Sequence, residues 1–525
     1  MDTKALRQKI LDLAIRGKLV PQDPNDEPAE VLLERIREQK QQMLKEGKLK
    51  KKDIKNDTII FKGEDNLHYE KFQDGTINCI EDEIPFEVPE GWAWCKLNDI
   101  YNFIDYRGAT PTKITNGIPL VTAKNVKSGY IDYTIDDYIS EEEFKERQQR
   151  GISKKGDILF TTEAPLGNAA LADMEKFSAG QRLITFQQYG SKNELINYVM
   201  LMFILSDFFQ QQLYVNKTGS TVAGIKAAIL KTLWIPVPPY NEQLRISNTL
   251  KSAINLIDSI SKNKEILSTS ISNTKSKILD LAIRGKLVPQ DPNDEPASVL
   301  LERISAEKEE LIKQGKIKRD KKESVIFKGD DNSYYLRTGR VEESLEDWRF
   351  DDLPETWKIC CLGELCDYGD CINVNTEDIA EDAWILDLED IEKDTGTVLK
   401  KVTKDQRNSV STKHKFHSGQ VLYSKLRPYL NKVVLSDADG YCTSEILPLE
   451  FKNCVLPEYA RYYLMSGTFI AYANHCSYGV KMPRLGTTDG KKAIFSLPPL
   501  SEQKRIVETI DFCFVQLNKI SEALA

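Results

Sequence analysis

The residues of this chain whose types could form a catalytic or metal centre include four carboxylates and three cysteines, whereas the four histidines form no obvious constellation. The carboxylates alternate along a predicted strand or turn: Asp387, Glu389, Asp390 and Glu392. Nuclease chemistry needs clustered carboxylates and a lysine around a metal ion, and no matching lysine motif accompanies them. The cysteines are separated by four residues instead of two and lack a nearby fourth ligand: Cys361, Cys366 and Cys371. We therefore expect no metal site, and we interpret the carboxylates as a solvated edge.

A second pattern with chemical potential is a proline pair followed by a tyrosine. Val237-Pro238-Pro239-Tyr240 looks like the Asp/Asn-Pro-Pro-Tyr motif with which adenine-N6 methyltransferases hold the target amine. Its first residue is valine, which cannot accept the hydrogen bond of the amine. No glycine-rich loop after a strand offers a place for S-adenosylmethionine, and residues 497–500 repeat the pattern as Leu-Pro-Pro-Leu. The pattern predicts a structural junction, and we expect no catalytic residues in this chain.

Loops rich in cations, amides and hydroxyls could instead bind nucleic acid. In the first half of the chain, residues 107–113, 123–125 and 217–221 carry hydrogen-bond donors that suit a phosphate. The candidate contact residues there are Arg107, Thr110, Lys113, Lys124, Asn125, Lys217, Thr218, Ser220 and Thr221. For each of them, an ordinary surface turn is the alternative interpretation.

The second half of the chain has two comparable loops. Residues 423–432 interleave aromatic side chains with cations, and residues 477–484 occupy the place of the 217–221 loop. The candidates there are Tyr423, Ser424, Lys425, Arg427, Tyr429, Asn431, Lys432, Tyr478, Lys481 and Arg484. Arginine can bind guanine and asparagine can bind adenine in bidentate fashion. These loops are predicted to touch DNA, with surface turns again as the alternative.

Composition and charge restrict the class of protein. With 525 residues, 41% hydrophobic and 29% charged, the chain should form three or four globular domains. The net charge is −8, yet residues 400–432 carry nine cations against one acid, Asp405. Such segregation lets an acidic protein present a basic face to nucleic acid. The longest apolar run, residues 198–205, is too short for a membrane span, and ten scattered cysteines fit reduced thiols. We expect a cytoplasmic protein with no membrane partner.

An internal repeat organises the elements that must position these loops. Residues 10–29 recur letter for letter as residues 278–297, and this spacing is far too long for a solenoid. Similar motifs frame two segments, 85–240 and 350–500, that otherwise share little sequence. Similar flanking motifs around two dissimilar segments suggest that both segments share one fold but have different specificities.

Each framed segment predicts a mixture of strands, turns and a late helix. Strands opened by a glycine turn are expected after Gly156 and Gly419. Single helices are expected at about 195–214 and 457–473. The overall fold class is therefore α+β.

The framing segments predict long helices. Asn241 and Ser501 are expected to cap the helices that follow the proline pairs, and Gly17 and Gly285 to end the repeated ones. A second, charged helix should follow each repeat, at about 28–46 and 296–314. Apolar residues follow a heptad, which favours a coiled coil: Leu250, Ile257, Ile271 and Ile278 form one seam and Ala253, Ile260, Leu267 and Leu281 the other, with Leu6, Ile10, Leu13, Ile510, Cys513, Leu517 and Ile520 in phase.

The order of these helices is circular. The central connector contains both halves of the helical unit, the C-terminus only the first half and the N-terminus only the second. We expect a pseudo-two-fold repeat in which antiparallel coiled-coil helices join two globular domains. The predicted domains are an N-terminal half-connector 1–55, a first module 85–240, a central connector 241–325, a second module 350–500 and a C-terminal half-connector 501–525.

This arrangement resembles the specificity subunit of type I restriction–modification systems. The likeness lies in the Pro-Pro-x-x-Glu-Gln-x-x-Ile junctions at 238–246 and 498–506, in the strands after Gly156 and Gly419, and in the repeated helix end. It covers essentially the whole chain. The resemblance implies two target-recognition domains, each of which reads one half of a split double-stranded DNA sequence.

The resemblance also implies partners and cofactors. The helical connectors would set the spacer between the half-sites and dock two methyltransferase subunits, and restriction subunits would join the full complex. S-adenosylmethionine, ATP and Mg²⁺ are expected on those partners and none in this chain, which would itself be non-catalytic. Two alternatives stay open at this point: a fused methyltransferase or endonuclease that acts alone, and a coiled-coil scaffold without DNA contact.

Overall fold

The structure is a computed structural model, and the residues that it describes form two compact units. The described residues are 2–55, 57–106, 110–134, 137–189, 194–219, 222–316, 324–331, 333–345, 353–407 and 410–524. Unit 1 comprises Met1–Asn263 and unit 2 comprises Lys264–Ala525. The division between them falls inside one long helix, Tyr240–Ile283. No helix in the described ranges is both long enough and apolar enough to cross a membrane.

Unit 1 contains a helical frame, a small hairpin sheet and a module of short strands. Its elements are α1 (Thr3–Ile15), α2 (Ala29–Lys45), α3 (Lys51–Ile54), β1 (Ile59–Lys62), β2 (His68–Lys71), β3 (Ile77–Cys79), β4 (Ala93–Lys96), α4 (Leu97–Ile100), β5 (Tyr101–Asp105), β6 (Ile118–Val121), β7 (Tyr138–Ile139), α5 (Glu141–Arg147), β8 (Ile158–Thr161), β9 (Ala169–Leu171), β10 (Ser178–Ala179), β11 (Leu183–Gln188), α6 (Asn197–Ile204), α7 (Asp207–Val215), α8 (Ala227–Leu230), β12 (Trp234–Val237) and the first part of α9 (Tyr240–Ile283).

The strands of unit 1 form four small sheets. The largest is antiparallel with the order β5-β11-β8-β9, and β10-β6-β7, β12-β4 and β1-β2-β3 form the others. The main core joins α1 and α2 to the module: Leu11, Ile15 and Leu32 pack in one cluster with Phe160 and Phe203. The module is therefore built directly on its helical frame.

Unit 2 repeats this plan. After the second part of α9 its elements are α10 (Ala297–Lys313), β13 (Ser324–Lys328), β14 (Tyr334–Thr338), β15 (Val341–Ser344), β16 (Lys358–Cys361), α11 (Leu362–Leu365), β17 (Ile372–Val374), β18 (Trp384–Leu386), β19 (Val402–Thr403), β20 (Lys413–Phe416), β21 (Val421–Ser424), β22 (Val433–Leu435), β23 (Gly440–Thr443), β24 (Ile446–Leu449), α12 (Pro457–Leu464), α13 (Gly467–His475), α14 (Thr487–Lys492), β25 (Ile494–Leu497) and α15 (Leu500–Leu524). Its sheets have the orders β17-β20-β23-β18-β19, β22-β21-β24, β16-β25 and β13-β14-β15.

The repeated helix ends adopt the same conformation in both units. Gly17 and Gly285 have φ values of +65° and +64°. The residue after each glycine bonds back into the helix, with Lys18 N donating to Leu13 O at 2.8 Å and Lys286 N to Leu281 O at 2.9 Å. This glycine-terminated helix end satisfies carbonyls that would otherwise lack a donor. The prediction that the two glycines end the repeated helices is confirmed, and α2 and α10 confirm the two charged helices.

The Glu-Gln-x-Arg part of each junction holds the module to its frame. Glu242 accepts hydrogen bonds from Trp92 Nε1 at 2.9 Å and Gln22 Nε2 at 3.1 Å, and Arg245 binds Asp26 at 2.5 Å. Gln22 and Asp26 belong to the exactly repeated block, so the loop of this block contributes directly to the junction.

Unit 2 makes the corresponding contacts. Glu502 accepts from Trp357 Nε1 at 2.9 Å and Gln290 Nε2 at 2.6 Å, and Arg505 binds Asp294 at 2.6 Å. Burial raises the pKa of Glu502, as it does that of Glu242. The two junctions are thus structural repeats as well as sequence repeats.

Two predictions about helices need correction. The helix expected at 195–214 is two helices, α6 and α7, and that at 457–473 is also two, α12 and α13. Ser206 and Ser466 separate them, because each serine hydroxyl accepts from the backbone N–H three residues later, at 3.4 and 3.3 Å. This is the N-cap geometry that starts a new helix.

The junction helices also start two residues earlier than expected. They begin at Tyr240 and Leu500, so Asn241 and Ser501 lie in the first turn instead of capping it.

The heptad pattern of α9 is only partly reflected in burial. Leu250, Ile257 and Ile271 of the first predicted seam are buried. In the second seam, Leu267 is 40% exposed. The terminal helices lie along α9 within each unit, since Arg7 of α1 pairs with Asp258 and Lys275 bonds to Asn518 of α15. A coiled-coil connector therefore stays a prediction.

Candidate nucleic-acid interface

In unit 2 the two predicted loops lie side by side. Leu426 forms a bridge with Arg484, and Tyr478 forms another with the same residue. Arg427 N donates to Pro483 O at 2.7 Å, and Leu485 N donates to Lys425 O at 3.0 Å. The structure thus joins residues 423–432 and 477–484, which lie far apart in sequence, into one surface feature, the unit 2 loop pair.

The side chains that remain exposed on the unit 2 loop pair include aromatic and cationic ones, beside the apolar Val480 and Met482. Tyr429 is 48% exposed and Tyr478 is 62% exposed. Lys481 is also exposed, and Lys425 and Arg427 are half-buried. Aromatic faces and cations are suited to stacking on bases and to binding phosphates.

Other predicted contact residues support the loop from inside. Tyr423 and Ser424 are each 3% exposed, and the Ser424 hydroxyl donates to Leu426 O at 3.0 Å. Asn431 is 8% exposed, and Lys432 Nζ donates to Leu388 O at 2.6 Å. Burial also raises the pKa of the Tyr423 hydroxyl, which therefore stays neutral. This placement does not favour direct DNA contact by these four residues.

Ion pairs neutralise much of the basic run at 400–432. Arg407 binds Asp390 at 2.5 Å, Lys401 binds Asp437 at 2.7 Å and Lys404 binds Glu381 at 3.0 Å. The run is therefore not one continuous basic face.

The same ion pairs correct the interpretation of the carboxylates. Asp390 is fully buried, and its partner Arg407 also binds Asp387. The expectation of a solvated edge is wrong for Asp390, since a buried carboxylate requires a partner and finds it in the arginine.

Unit 1 carries an equivalent loop pair, and sequence reasoning found only half of it. Thr218 and Gly224 bridge each other, and Gly224 also bridges Glu163. Ile225 N donates to Thr162 O at 3.0 Å. Residues 162–168 therefore accompany residues 217–219 and 222–224 in the unit 1 loop pair.

A sequence signal for the missed loop existed. Pro165 lies as far beyond Gly156 as Pro428 lies beyond Gly419. The residues before these prolines, Ala164 and Arg427, both have positive φ, +46° and +50°. An alignment of the two strand-and-proline segments would have placed Ala164 opposite Arg427.

The remaining candidates of unit 1 are distributed unevenly. Lys217 and Thr218 are exposed on the loop pair, and Lys124 is exposed on a neighbouring turn. Thr110 Oγ1 accepts from Gln181 Nε2 at 2.5 Å. Lys113 is exposed but binds Asp137 at 2.6 Å. Arg107, Ser220 and Thr221 lie outside the described residues.

Asn125 differs from the other unit 1 candidates because it is buried. It is 3% exposed. Its Oδ1 accepts from Thr122 N at 2.9 Å, and its Nδ2 donates to Asp132 O at 2.9 Å. The amide stabilises the turn that presents Lys124, and this placement does not favour base reading by Asn125.

Arg182 is a further polar residue of the unit 1 surface that sequence reasoning missed. It binds Glu163 at 2.9 Å, and Thr162 N donates to its carbonyl at 2.9 Å. The unit 1 loop pair therefore mixes an acid with its cations, whereas the exposed charged side chain of the unit 2 loop pair, Lys481, is basic.

The potential metal ligands fall into two groups. Among the described residues, His68, Glu81 and Glu87 are the set whose ligand atoms lie within 4.8 Å of one another. Cys361 and Cys366 are buried in the unit 2 module, where burial raises the pKa of the Cys366 thiol. The expectation that this chain holds no metal stays a prediction, since the ligand atoms of His68, Glu81 and Glu87 are close enough to share one ion.

One fold that presents two different loop pairs defines a protein with two candidate nucleic-acid interfaces. Residues 89–268 and 354–523 match the family described as the type I restriction modification DNA specificity domain. The chain belongs to this family, which confirms the resemblance deduced from the junction motifs.

Its relatives include the specificity subunit of the Escherichia coli type I restriction enzyme EcoAI. That subunit is 28% identical over 98% of this chain and 90% of its own length. The EcoEI specificity subunit of Escherichia coli is 27% identical, with 99% and 90% covered. A structure solved in work on complex assembly and conformational transition of the type I R-M system has a similar fold, with a TM-score of 0.53 at 16% identity, and the match covers 84% of this chain and 94% of that one.

Proposed function

We propose that this chain is the DNA-recognition subunit of a type I restriction–modification complex. The single observation that carries the proposal is the repeated loop pair. Both loop pairs have the same backbone bridges, yet they present different side chains. Such a pair suits an asymmetric target of which each module reads one half, because each base pair shows its own donor and acceptor pattern in the major groove.

The connectors are proposed to set the spacer and to bind the partner subunits. Exposed residues of the repeated block, such as Lys18 and Pro24 in unit 1 and their counterparts Lys286 and Pro292 in unit 2, are identical in both units. Identical surfaces suit two copies of one partner, which we take to be two methyltransferase subunits, with restriction subunits in the full complex.

The chain itself is proposed to be non-catalytic and cytoplasmic. S-adenosylmethionine, ATP and Mg²⁺ would then bind to the partner subunits. The Val-Pro-Pro-Tyr segment supports this part of the proposal, since Pro238 O accepts from Gln243 Nε2 at 3.0 Å and so belongs to the junction of the module with α9.

Exchange of one module tests the proposed function. Residues 350–500 are replaced by the same segment of a relative with a different target, and the methylated sequences of cells that carry the complex are determined. We expect one half of the modified sequence to change, and the other half to remain as in the wild type.

The reciprocal exchange of residues 85–240 is the matched control, and it should change the opposite half. A change in both halves from either exchange would contradict independent modules. Methyl transfer by the purified chain without partners would contradict a non-catalytic role.

A further inference from the structure

The two arginines of the unit 2 loop pair have different surroundings. Arg484 forms a two-pronged contact with Glu445, in which Nε lies 3.1 Å from both carboxylate oxygens and a terminal nitrogen lies 2.8 Å from one of them. The other terminal nitrogen donates to Met482 O at 3.1 Å. The hydrogen bond to Glu445 raises the pKa of Arg484. Arg484 is therefore fully engaged in holding the hairpin.

Arg427 is held by its backbone and not by its side chain. Its N–H donates to Pro483 O at 2.7 Å and its carbonyl accepts from Leu430 N at 2.9 Å. Within the described ranges its guanidinium has no ion-pair partner, and its Nε is buried without a hydrogen-bond partner. An unsatisfied buried N–H is costly, so a rotation of this half-buried side chain toward an acceptor supplied from outside would be favourable.

We propose that Arg427 reads a guanine in the half-site bound by unit 2, and that Arg484 only positions the loop that presents it. Guanine offers two acceptors, O6 and N7, side by side in the major groove, and the planar fork of arginine matches both. A left-handed backbone at the base of the side chain, with φ at +50°, and the proline that follows fix the direction in which it leaves the loop.

Unit 1 shows why the effect should be confined to one half-site. Ala164 occupies the position of Arg427, with φ at +46° and a proline after it. The adjoining Glu163 binds Arg182 at 2.9 Å. The corresponding position of unit 1 therefore presents no arginine, and the two units cannot read this position alike.

The inference rests on the proposed function, and two substitutions test it. Arg427→Lys keeps the charge but loses the fork, and Arg427→Gly removes the side chain while it tolerates positive φ at no steric cost. Each variant is assembled with its partner subunits. Binding is measured on a set of duplexes in which each position of the second half-site is changed in turn to each of the four base pairs. The sequences that the complex modifies in cells are also determined.

Both variants should lose preference for one G·C pair of the second half-site, by roughly 5- to 100-fold. The first half-site should be read as in the wild type. Arg427→Lys should keep most of the overall affinity, because lysine can still bind a phosphate. Arg340→Ala, which removes an exposed arginine in the turn after β14, is the matched control and should change neither affinity nor sequence.

Three results would overturn the assignment. The first is a uniform loss of affinity with the sequence preference intact, which means a phosphate contact. The second is no change in either variant while thermal unfolding shows both to be folded. The third is a wild-type second half-site without any G·C pair. A wild-type complex that modifies no bipartite sequence would instead contradict the proposed function itself.

Discussion

At the scale of single residues, buried polar groups decide how each module is held. Asp157 lies in the turn before β8 and is 7% exposed. It accepts from Lys154 N at 2.8 Å and from Gln187 Nε2 at 2.7 Å. Burial outweighs these hydrogen bonds and raises the pKa of Asp157 to about 6. The strand that leads to the unit 1 loop pair is thus anchored by a carboxyl that titrates near neutral pH.

This pKa predicts how stability depends on pH. The folded state holds the Asp157 proton more tightly than the unfolded state does. The contribution of this carboxyl to the free energy of unfolding is therefore full below about pH 4 and is lost as pH rises through 6. The free energy of unfolding should therefore fall by about 2 kcal/mol from this group between pH 4.5 and 7. Denaturant unfolding of the wild type and of Asp157→Asn, each at about pH 4.5 and about pH 7, measures this change in the free energy of unfolding.

The variant should show a correspondingly smaller pH dependence. Exposed Asp173→Asn serves as the control and should retain the dependence of the wild type. Equal pH dependence in the wild type and Asp157→Asn would contradict the assignment to this carboxyl.

At the scale of elements, most of the frame could be predicted from sequence and the loop pairs only in part. Glycine turns, heptads and proline pairs are local signals, so they located the strands after Gly156 and Gly419 and the ends of the repeated helices. The helix breaks at Ser206 and Ser466 were not predicted, because the apolar periodicity continues across each break. Loop 162–168 was overlooked because its pairing with 217–219 and 222–224 is non-local and its side chains carry few cations.

The repeated helix ends allow a matched test of backbone and packing effects. An added Cβ at Gly285 would lie 2.5 Å from Pro354 Cγ, whereas at Gly315, with a similar φ of +71°, nothing lies within 4 Å. Gly315→Ala should cost about 1 kcal/mol, from the left-handed backbone alone. Gly285→Ala should cost at least about 1 kcal/mol more, from the clash with the proline.

Denaturant unfolding measures the free energies of both variants. Equal costs would contradict the close contact between the helix end and the proline of the Leu-Pro-Glu-Thr-Trp segment, 353–357. A loss of stability in Gly315→Ala without one in Gly285→Ala would also contradict this contact.

At the scale of the whole molecule, the chain is two units that share one continuous helix. α9 contributes its first part to unit 1 and its last part to unit 2. In the proposed function, this helix is the element whose length sets the distance between the two half-sites.

Lengthening α9 tests that role. Four helix-forming residues inserted between Lys262 and Asn263, where the side chains are exposed, add about 6 Å. With about 3.4 Å per base pair along each strand, the preferred spacer should lengthen by close to two base pairs. The modified sequences of cells that carry the lengthened chain report the spacer. Alanine substitution of exposed residues in the same stretch, without a change in length, should leave it unchanged, and an unchanged spacer after insertion would show that α9 does not set it.

The sequence by itself determined the repeat, the circular order of its parts, the α+β class and the family, because these depend on periodicity and on motifs that are local in the chain. Only the tertiary structure decided which candidate residues face outward. Asn125, Ser424 and Asn431 are polar loop residues by sequence, yet their burial among backbone partners makes them supports. Two arginines of similar sequence context, Arg427 and Arg484, differ because a distant glutamate, Glu445, folds back to pair with one and not the other. Pairing of that kind depends on three-dimensional proximity, which residue order does not reveal.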